Sequence, residues 1–110
     1  MIRVLLDENL PRRLKWTLDD AVVSEALTVP ERGWAGIKNG RLLRLAALEF
    51  DALPTMDRGI EHQQNLTGLD LCLIVVSAVS NDIDDLVPLA PSINAALREA
   101  RSGHILRVCA

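Results

Sequence analysis

The sequence is poor in cysteine, glycine and proline. It has two cysteines among 110 residues, with six glycines and five prolines that follow no period, which excludes collagen-like and low-complexity chains. Two distant cysteines and two distant histidines cannot supply the four ligands of a structural zinc site. Cys72 and Cys109 both lie in apolar segments, which favours buried, reduced thiols, with a disulfide between them as the alternative.

A long apolar run is also missing. The longest, from Leu71 to Val76, has six residues, whereas a membrane-spanning helix needs roughly 20. The carboxylates of Asp7 and Glu8 interrupt the N-terminal segment where a signal peptide needs an uninterrupted apolar core. We therefore expect a cytoplasmic protein.

Positive charge is not in excess. Twelve basic residues against 15 acidic ones give a formal net charge of −3, which excludes the simple signature of a basic duplex-DNA binder. Eight of the twelve cations lie in the first fifty residues, so the sequence still allows a local basic patch. With 49% hydrophobic and 25% charged residues, the chain has the composition of a globular protein, and its length suits a single domain over residues 1–110.

Short apolar runs alternate with amphipathic stretches along the chain. Strand-like runs fall at 2–6, 21–27, 51–55, 71–77 and 105–108, and helical periodicity covers 9–18, 39–50 and 82–100. This alternation predicts an α/β protein whose open, mostly parallel sheet of four to five strands carries helices on both faces. Pro88 and Pro91 should divide the last helix in two, and Pro54 is unwelcome in a central strand.

Acidic and amide side chains follow the predicted strands. Asp7 and Glu8 come directly after the first strand, Asp57 comes just after the third, and Asn39 begins a helix that should start at the same edge. Ligands of parallel sheets bind at this edge, and oxygen donors suit Mg²⁺ or Mn²⁺ rather than zinc. Each residue also has a structural interpretation, because Asp7, Asn9 and Asn39 can flank or cap helices and Asp57 suits a turn.

Three segments resemble the PIN-like domain family, and more closely a small bacterial branch of unknown function related to toxins of the VapC type. They are VLLDENLPRRL at the start, GWAGIKNGRLLRLAA in the middle and TMDRGIEHQQNL after the third strand. The resemblance covers nearly the whole chain, since the segments occur in the family's order with matching elements between them. It implies a PIN-like three-layer sandwich and a ribonuclease that depends on Mg²⁺ or Mn²⁺.

The resemblance also assigns residues to the site. Asp7 matches the first acidic position and Asp57 the later one, so these two would bind the metal, with Glu8 as an adjacent acid and Asn39 completing the catalytic set. Asn39 and Gly59 stand where relatives carry acids, so the acidic set of this chain is reduced. The shared stretches also suggest a polar site of this branch, with Asn39, Gln63, Gln64 and Asn65 as candidates.

Three functions compete at this point. The leading hypothesis is a ribonuclease that acts as the toxin of a toxin–antitoxin pair, with RNA as substrate and a small antitoxin protein as partner, either as a monomer or as a homodimer. Four cations would neutralise RNA phosphates: Arg12, Arg13, Lys15 and Arg58. The alternative is a catalytically weakened PIN-like module that binds RNA or a protein partner, which the reduced acidic set favours. A purely structural, partner-binding subunit is the third.

Overall fold

The computed structural model describes residues 1–60, 66 and 68–109. Its strands are β1 (Ile2–Leu6), β2 (Val23–Thr28), β3 (Ala52–Thr55), β4 (Cys72–Ser77) and β5 (Ile105–Cys109). The α-helices of the described residues are α1 (Asn39–Glu49), α2 (Ile83–Leu86) and α3 (Ala90–Arg98), and 3₁₀ segments occupy Arg12–Thr17 and Val87–Leu89. No helix in these ranges has the length and apolarity needed to cross a membrane.

All five strands are parallel and form one sheet in the order β2-β1-β3-β4-β5. The predicted α/β class and parallel sheet are confirmed, with β5 at an edge as expected. Prolines divide the C-terminal helical stretch, also as expected, into α2 and α3 with the second 3₁₀ segment between them.

The sheet is covered by apolar packing on both faces, which makes three layers. Alternate residues of β4 show this directly: Cys72, Ile74 and Val76 belong to the core on one face, and Leu73 and Val75 to the core on the other. The first face carries the Arg12–Thr17 segment, α2 and α3, whereas the second carries α1. A strand buried on both faces is expected to be apolar throughout, which explains why the longest apolar run of the sequence lies in β4.

The first amphipathic stretch is not the α-helix predicted for residues 9–18. It forms the shorter 3₁₀ segment Arg12–Thr17, which is preceded by Pro11 in an extended conformation without a side-chain cap. Asn9 does not act as the predicted cap, because its carboxamide donates to Thr55 and accepts from the backbone of Met56. Tertiary hydrogen bonds have therefore replaced the local cap, although the predicted apolar side chains are buried at Leu10, Leu14 and Leu18.

Pro54 does lie in the central strand, in spite of the missing backbone donor. On the β4 side, β3 keeps a regular ladder of four register pairs. On the β1 side the register is reduced to one pair, Val4 with Ala52, and the carbonyl of Pro54 accepts a hydrogen bond of 3.0 Å from the backbone of Asp7. A proline is tolerated here because the register of β3 with β1 does not extend to Pro54, so the missing N–H breaks no pair of that ladder.

The two cysteines are free, so the disulfide alternative does not occur in this structure. Cys72 is buried as expected, and burial raises the pKa of its thiol. The expectation that Cys109 is also buried is wrong, because it ends the edge strand β5 and is exposed. It pairs in register with Ser77, at the opposite end of β4 from Cys72.

Candidate functional site

The carboxyl ends of β1 and β3 form a crevice at the centre of the sheet. The chain passes from β1 to β2 on one side and reaches β3 on the other, so the strand order reverses between β1 and β3. Asp7 directly follows β1, Thr55 ends β3, and Asp57 comes two residues later. Open parallel sheets bind ligands at such a switch point, which makes this crevice the first candidate site.

The hydroxyl of Thr55 connects the two aspartates. Its Oγ1 donates to Oδ2 of Asp7 at 2.6 Å, and it accepts from the backbone N–H of Asp57 at 3.0 Å and from Nδ2 of Asn9 at 3.2 Å. A hydroxyl has one donor and two acceptor sites, so every site of this group is used. Thr55 has no exposed surface, and it therefore fixes Asp7 and the backbone of Asp57 relative to each other.

Asn9 reinforces the same junction. Its Oδ1 accepts from the backbone N–H of Met56 at 3.1 Å while its Nδ2 contacts Thr55, so one carboxamide ties the end of β1 to the end of β3. Its own carbonyl accepts from Nδ2 of Asn81, which follows β4. Sequence reasoning missed these roles of Thr55 and Asn9. The available signal was the threonine at the end of an apolar strand, because a hydroxyl buried there needs hydrogen-bond partners.

Asp7 is a buried carboxylate, with only 5% of its surface exposed. Burial raises the pKa of Asp7, the hydrogen bonds from Thr55 and from the backbone N–H of Glu8 partly offset that effect, and the charges of Glu8 and Asp57 raise the pKa further. In the described ranges no cationic side chain pairs with Asp7. The negative charge of the Asp7 carboxylate therefore has no cationic partner among the described residues.

Asp57 is held by two donors, one on each carboxylate oxygen. Oδ1 accepts from the backbone N–H of Gly59 at 2.9 Å, and Oδ2 accepts from Nδ2 of Asn39 at 3.1 Å. Asn39 is the first residue of α1 and not its cap, since the cap position is taken by Lys38. This corrects the predicted capping role and places the Asn39 side chain beside Asp57.

Glu8 lies next to Asp7, with an exposed side chain outside the buried junction. Asp7, Glu8, Asn39 and Asp57 thus share the same edge of the sheet. Gln63, Gln64 and Asn65 lie outside the described residues.

The four predicted cations do not gather in the crevice. Nζ of Lys15 lies 2.9 and 3.0 Å from the two carboxylate oxygens of Glu31, and Nε of Arg12 lies 3.4 Å from the same carboxylate. The hydrogen bond from Lys15, followed by one from the backbone of Thr28, lowers the pKa of Glu31 to about 2. Lys15 is thus engaged in an ion pair away from Asp7 and Asp57.

Arg13 and Arg58 are exposed, and neither has an ion-pair partner within residues 1–60, 66 and 68–109. Arg58 directly follows Asp57 and so lies beside the crevice.

Comparison of the chain with models of known families, with curated proteins and with solved structures finds no match. The crevice between β1 and β3 is therefore the basis on which a function is assigned.

Proposed function

We propose that the chain is a PIN-like ribonuclease that depends on Mg²⁺ or Mn²⁺ and acts as the toxin of a toxin–antitoxin pair. The observation that carries the proposal is the junction at the switch point, where one buried hydroxyl, that of Thr55, binds the carboxylate of Asp7 and the backbone N–H of Asp57, fifty residues away. Such a junction costs free energy in the apo protein, because burial and the neighbouring charges disfavour the ionised form of Asp7. A divalent cation would offset that cost.

The donors in the crevice fit such an ion. Among the described residues no group of three or more histidine, cysteine, aspartate or glutamate side chains could hold a metal, so within those residues the proposed carboxylate ligands are Asp7 and Asp57. Mg²⁺ is commonly bound through one or two carboxylates and keeps several waters, so two suffice. From the described residues, each carboxylate oxygen of the pair accepts one hydrogen bond and keeps capacity for a further contact.

The proposed roles follow from these contacts. Asp7 and Asp57 hold the ion, which when bound would activate water and neutralise charge on the phosphodiester. Thr55 orients the carboxylate of Asp7, and Asn39 orients that of Asp57. Glu8, exposed beside Asp7, would orient the attacking water. The role as a toxin, with a small antitoxin protein as partner and a cytoplasmic location, is supported by the resemblance of the three sequence segments.

Cleavage of single-stranded RNA in the presence of Mn²⁺ or of EDTA tests the proposal. We expect end-labelled RNA to be cut when Mn²⁺ is present and to stay intact in EDTA, because the carboxylates alone lack a group that activates water. Intact RNA under both conditions would contradict the proposal. Cleavage that continues in EDTA would contradict metal dependence.

A weakened module that binds RNA or a protein without cutting is the second candidate. The observation that favours it is the neighbourhood of Asp57, where an amide from Asn39 and a backbone N–H from Gly59 replace the acids that the resemblance implies. RNA that is bound but not cut in Mn²⁺ would support this candidate over the ribonuclease.

A further inference from the structure

A cavity separate from the crevice lies at the same edge of the sheet. It has a volume of about 350 Å³ and is lined by Leu10, Arg12, Thr28, Pro30 and Glu31. Leu10 belongs to the loop after β1, and Thr28 ends β2, where it pairs in register with the last residue of β1. The cavity therefore lies beyond the carboxyl ends of β1 and β2, at the edge where parallel sheets bind ligands.

The size and the lining of the cavity suit a small apolar group. Leu10 and Pro30 supply apolar side chains, and the lining as a whole is mainly apolar. Sites for small molecules have volumes of about 300–1,000 Å³ and are mostly apolar, with a few polar groups that fix the orientation of the ligand. A cavity at the lower end of this range suits a compact body rather than a large cofactor.

The loop after β2 holds one wall of the cavity in place. The backbone N–H of Thr28 donates to Oε1 of Glu31 at 2.9 Å, and the backbone N–H of Glu31 donates to the hydroxyl of Thr28 at 3.2 Å. The backbone N–H of Gly33 donates to the carbonyl of Pro30 at 3.0 Å. Because these bonds form without a ligand, a ligand would not have to order the loop, which lowers the free-energy cost of binding.

The charged groups at the cavity favour an anion. Two of the described lining residues are charged, Arg12 and Glu31. Nζ of Lys15 lies 2.9 and 3.0 Å from the two carboxylate oxygens of Glu31, closer than Nε of Arg12 at 3.4 Å. Lys15 therefore balances the charge of Glu31, and the charge of Arg12 is left in excess. The acidic helix α2 also packs against the segment that carries Arg12, whereas the described lining comes from that segment and from the loops after β1 and β2.

Arg12 is accessible to a ligand. Its side chain is 65% exposed, and its Nη groups have no hydrogen-bond acceptor among the described residues. Its guanidinium lies 5.8 Å from the centroid of the Trp16 ring, a cation–π contact that does not require those N–H groups. A guanidinium with free N–H groups can bind both oxygens of a carboxylate at once.

We propose that this cavity binds a small organic acid, with its apolar body against Leu10 and Pro30 and its carboxylate paired with Arg12. The body supplies most of the affinity, and the ion pair fixes the orientation. This site goes beyond the proposed ribonuclease and does not depend on it, because neither Asp7 nor Asp57 lines the described cavity.

Titration calorimetry with matched amphiphiles tests the class of ligand. The probes are octanoate, octylammonium, which has the same chain length and the opposite charge, and acetate, which has the carboxylate and almost no chain. We expect octanoate to bind below its micellar concentration, and octylammonium and acetate to bind at least about 10-fold more weakly. No binding of octanoate, or equal affinity for octanoate and either of the other probes, would overturn the proposal.

Chain length tests the burial of the apolar body. Butyrate, hexanoate and octanoate share one carboxylate, and affinity should rise about fourfold for each methylene group that enters the cavity. An affinity that does not change with chain length would mean that only charge attracts the probe, and would overturn the apolar part of the proposal.

Arg12→Gln tests where octanoate binds. The substitution removes a charge at an exposed position and should weaken binding of octanoate about 10- to 150-fold, the range for loss of a hydrogen bond to a charged group. Arg44→Gln is the matched control, because Arg44 is exposed on α1, on the other face of the sheet, and the net charge changes equally. Unchanged affinity in Arg12→Gln, or an equal loss in Arg44→Gln, would overturn the proposal.

These tests are separate from those of catalysis. Binding of octanoate that Arg12→Gln weakens, without cleavage of RNA in Mn²⁺, would support this site and contradict the ribonuclease. Cleavage in Mn²⁺ without binding of octanoate would overturn this site and leave the ribonuclease standing.

Discussion

Asp7→Asn is expected to reduce Mn²⁺-dependent cleavage of single-stranded RNA by on the order of 10³-fold, since a lost metal ligand removes several kcal/mol of transition-state stabilisation. Asparagine keeps the shape of the side chain but not its charge. Initial rates with end-labelled RNA measure the effect. Asp20→Asn is the matched control, because Asp20 is exposed and precedes β2, away from the crevice. Equal rates for Asp7→Asn and wild type would contradict the assignment of Asp7.

Loss of activity in Asp7→Asn should not come from unfolding. Burial raises the folded-state pKa of Asp7 above its ordinary value of 3.8, so the ionised carboxylate lowers stability at neutral pH, and this cost is relieved as the pH falls through the raised pKa towards 3.8. Metal-free Asp7→Asn should escape this cost, although its carboxamide oxygen can accept only one of the two hydrogen bonds that Asp7 accepts from Thr55 and Glu8. The stability of the variant relative to wild type should therefore be highest at pH 7 and should fall on acidification, as wild type regains stability. Urea unfolding at several pH values measures this.

Thr55→Val is expected to lower the free energy of unfolding by about 3 kcal/mol. Valine has nearly the shape of threonine but leaves three groups without their partner: Oδ2 of Asp7, Nδ2 of Asn9 and the backbone N–H of Asp57. Each unsatisfied buried group costs roughly 1–3 kcal/mol, and water reaching the crevice should recover part of that. The melting temperature should fall by roughly 10–20 °C for a domain of this size.

Two variants control for this change. Thr55→Ser keeps the hydroxyl and should lose much less stability, since only a methyl group is removed. Thr28→Val makes the same exchange at another buried threonine, whose hydroxyl accepts one hydrogen bond from the backbone of Glu31. If the three variants were equally destabilised, the loss would reflect packing, and the hydroxyl of Thr55 would not be the link between the aspartates.

Apolar runs in the sequence were sufficient to predict the sheet. β4, for example, is buried on both faces and is apolar throughout. Asp7 and Asp57 follow two strands that are parallel, and the carboxyl ends of parallel strands lie at the same edge of a sheet, so the two aspartates were expected at one edge. These predictions depend on period and order along the chain, which are local properties that a single sequence contains.

Long-range hydrogen bonds could not be predicted in the same way. Asn9 has the local signature of a helix cap, but its partners Thr55 and Met56 are 46 and 47 residues away, and the segment that follows is 3₁₀ rather than α-helical. Lys15 was likewise predicted to contact RNA phosphates, but in the fold it pairs with Glu31, 16 residues away. Partners at such separations depend on the tertiary fold, and no local pattern indicates them.

Melting curves of wild type and Asp7→Asn, with and without Mn²⁺, test the metal site most directly. At a hundredfold excess over the dissociation constant, Mn²⁺ should stabilise wild type by roughly 2.7 kcal/mol and raise its melting temperature by on the order of 10 °C. Asp7→Asn should lose that shift. A wild-type protein that Mn²⁺ does not stabilise, or a variant that keeps the full shift, would contradict the assignment of Asp7 as a ligand and the ribonuclease with it.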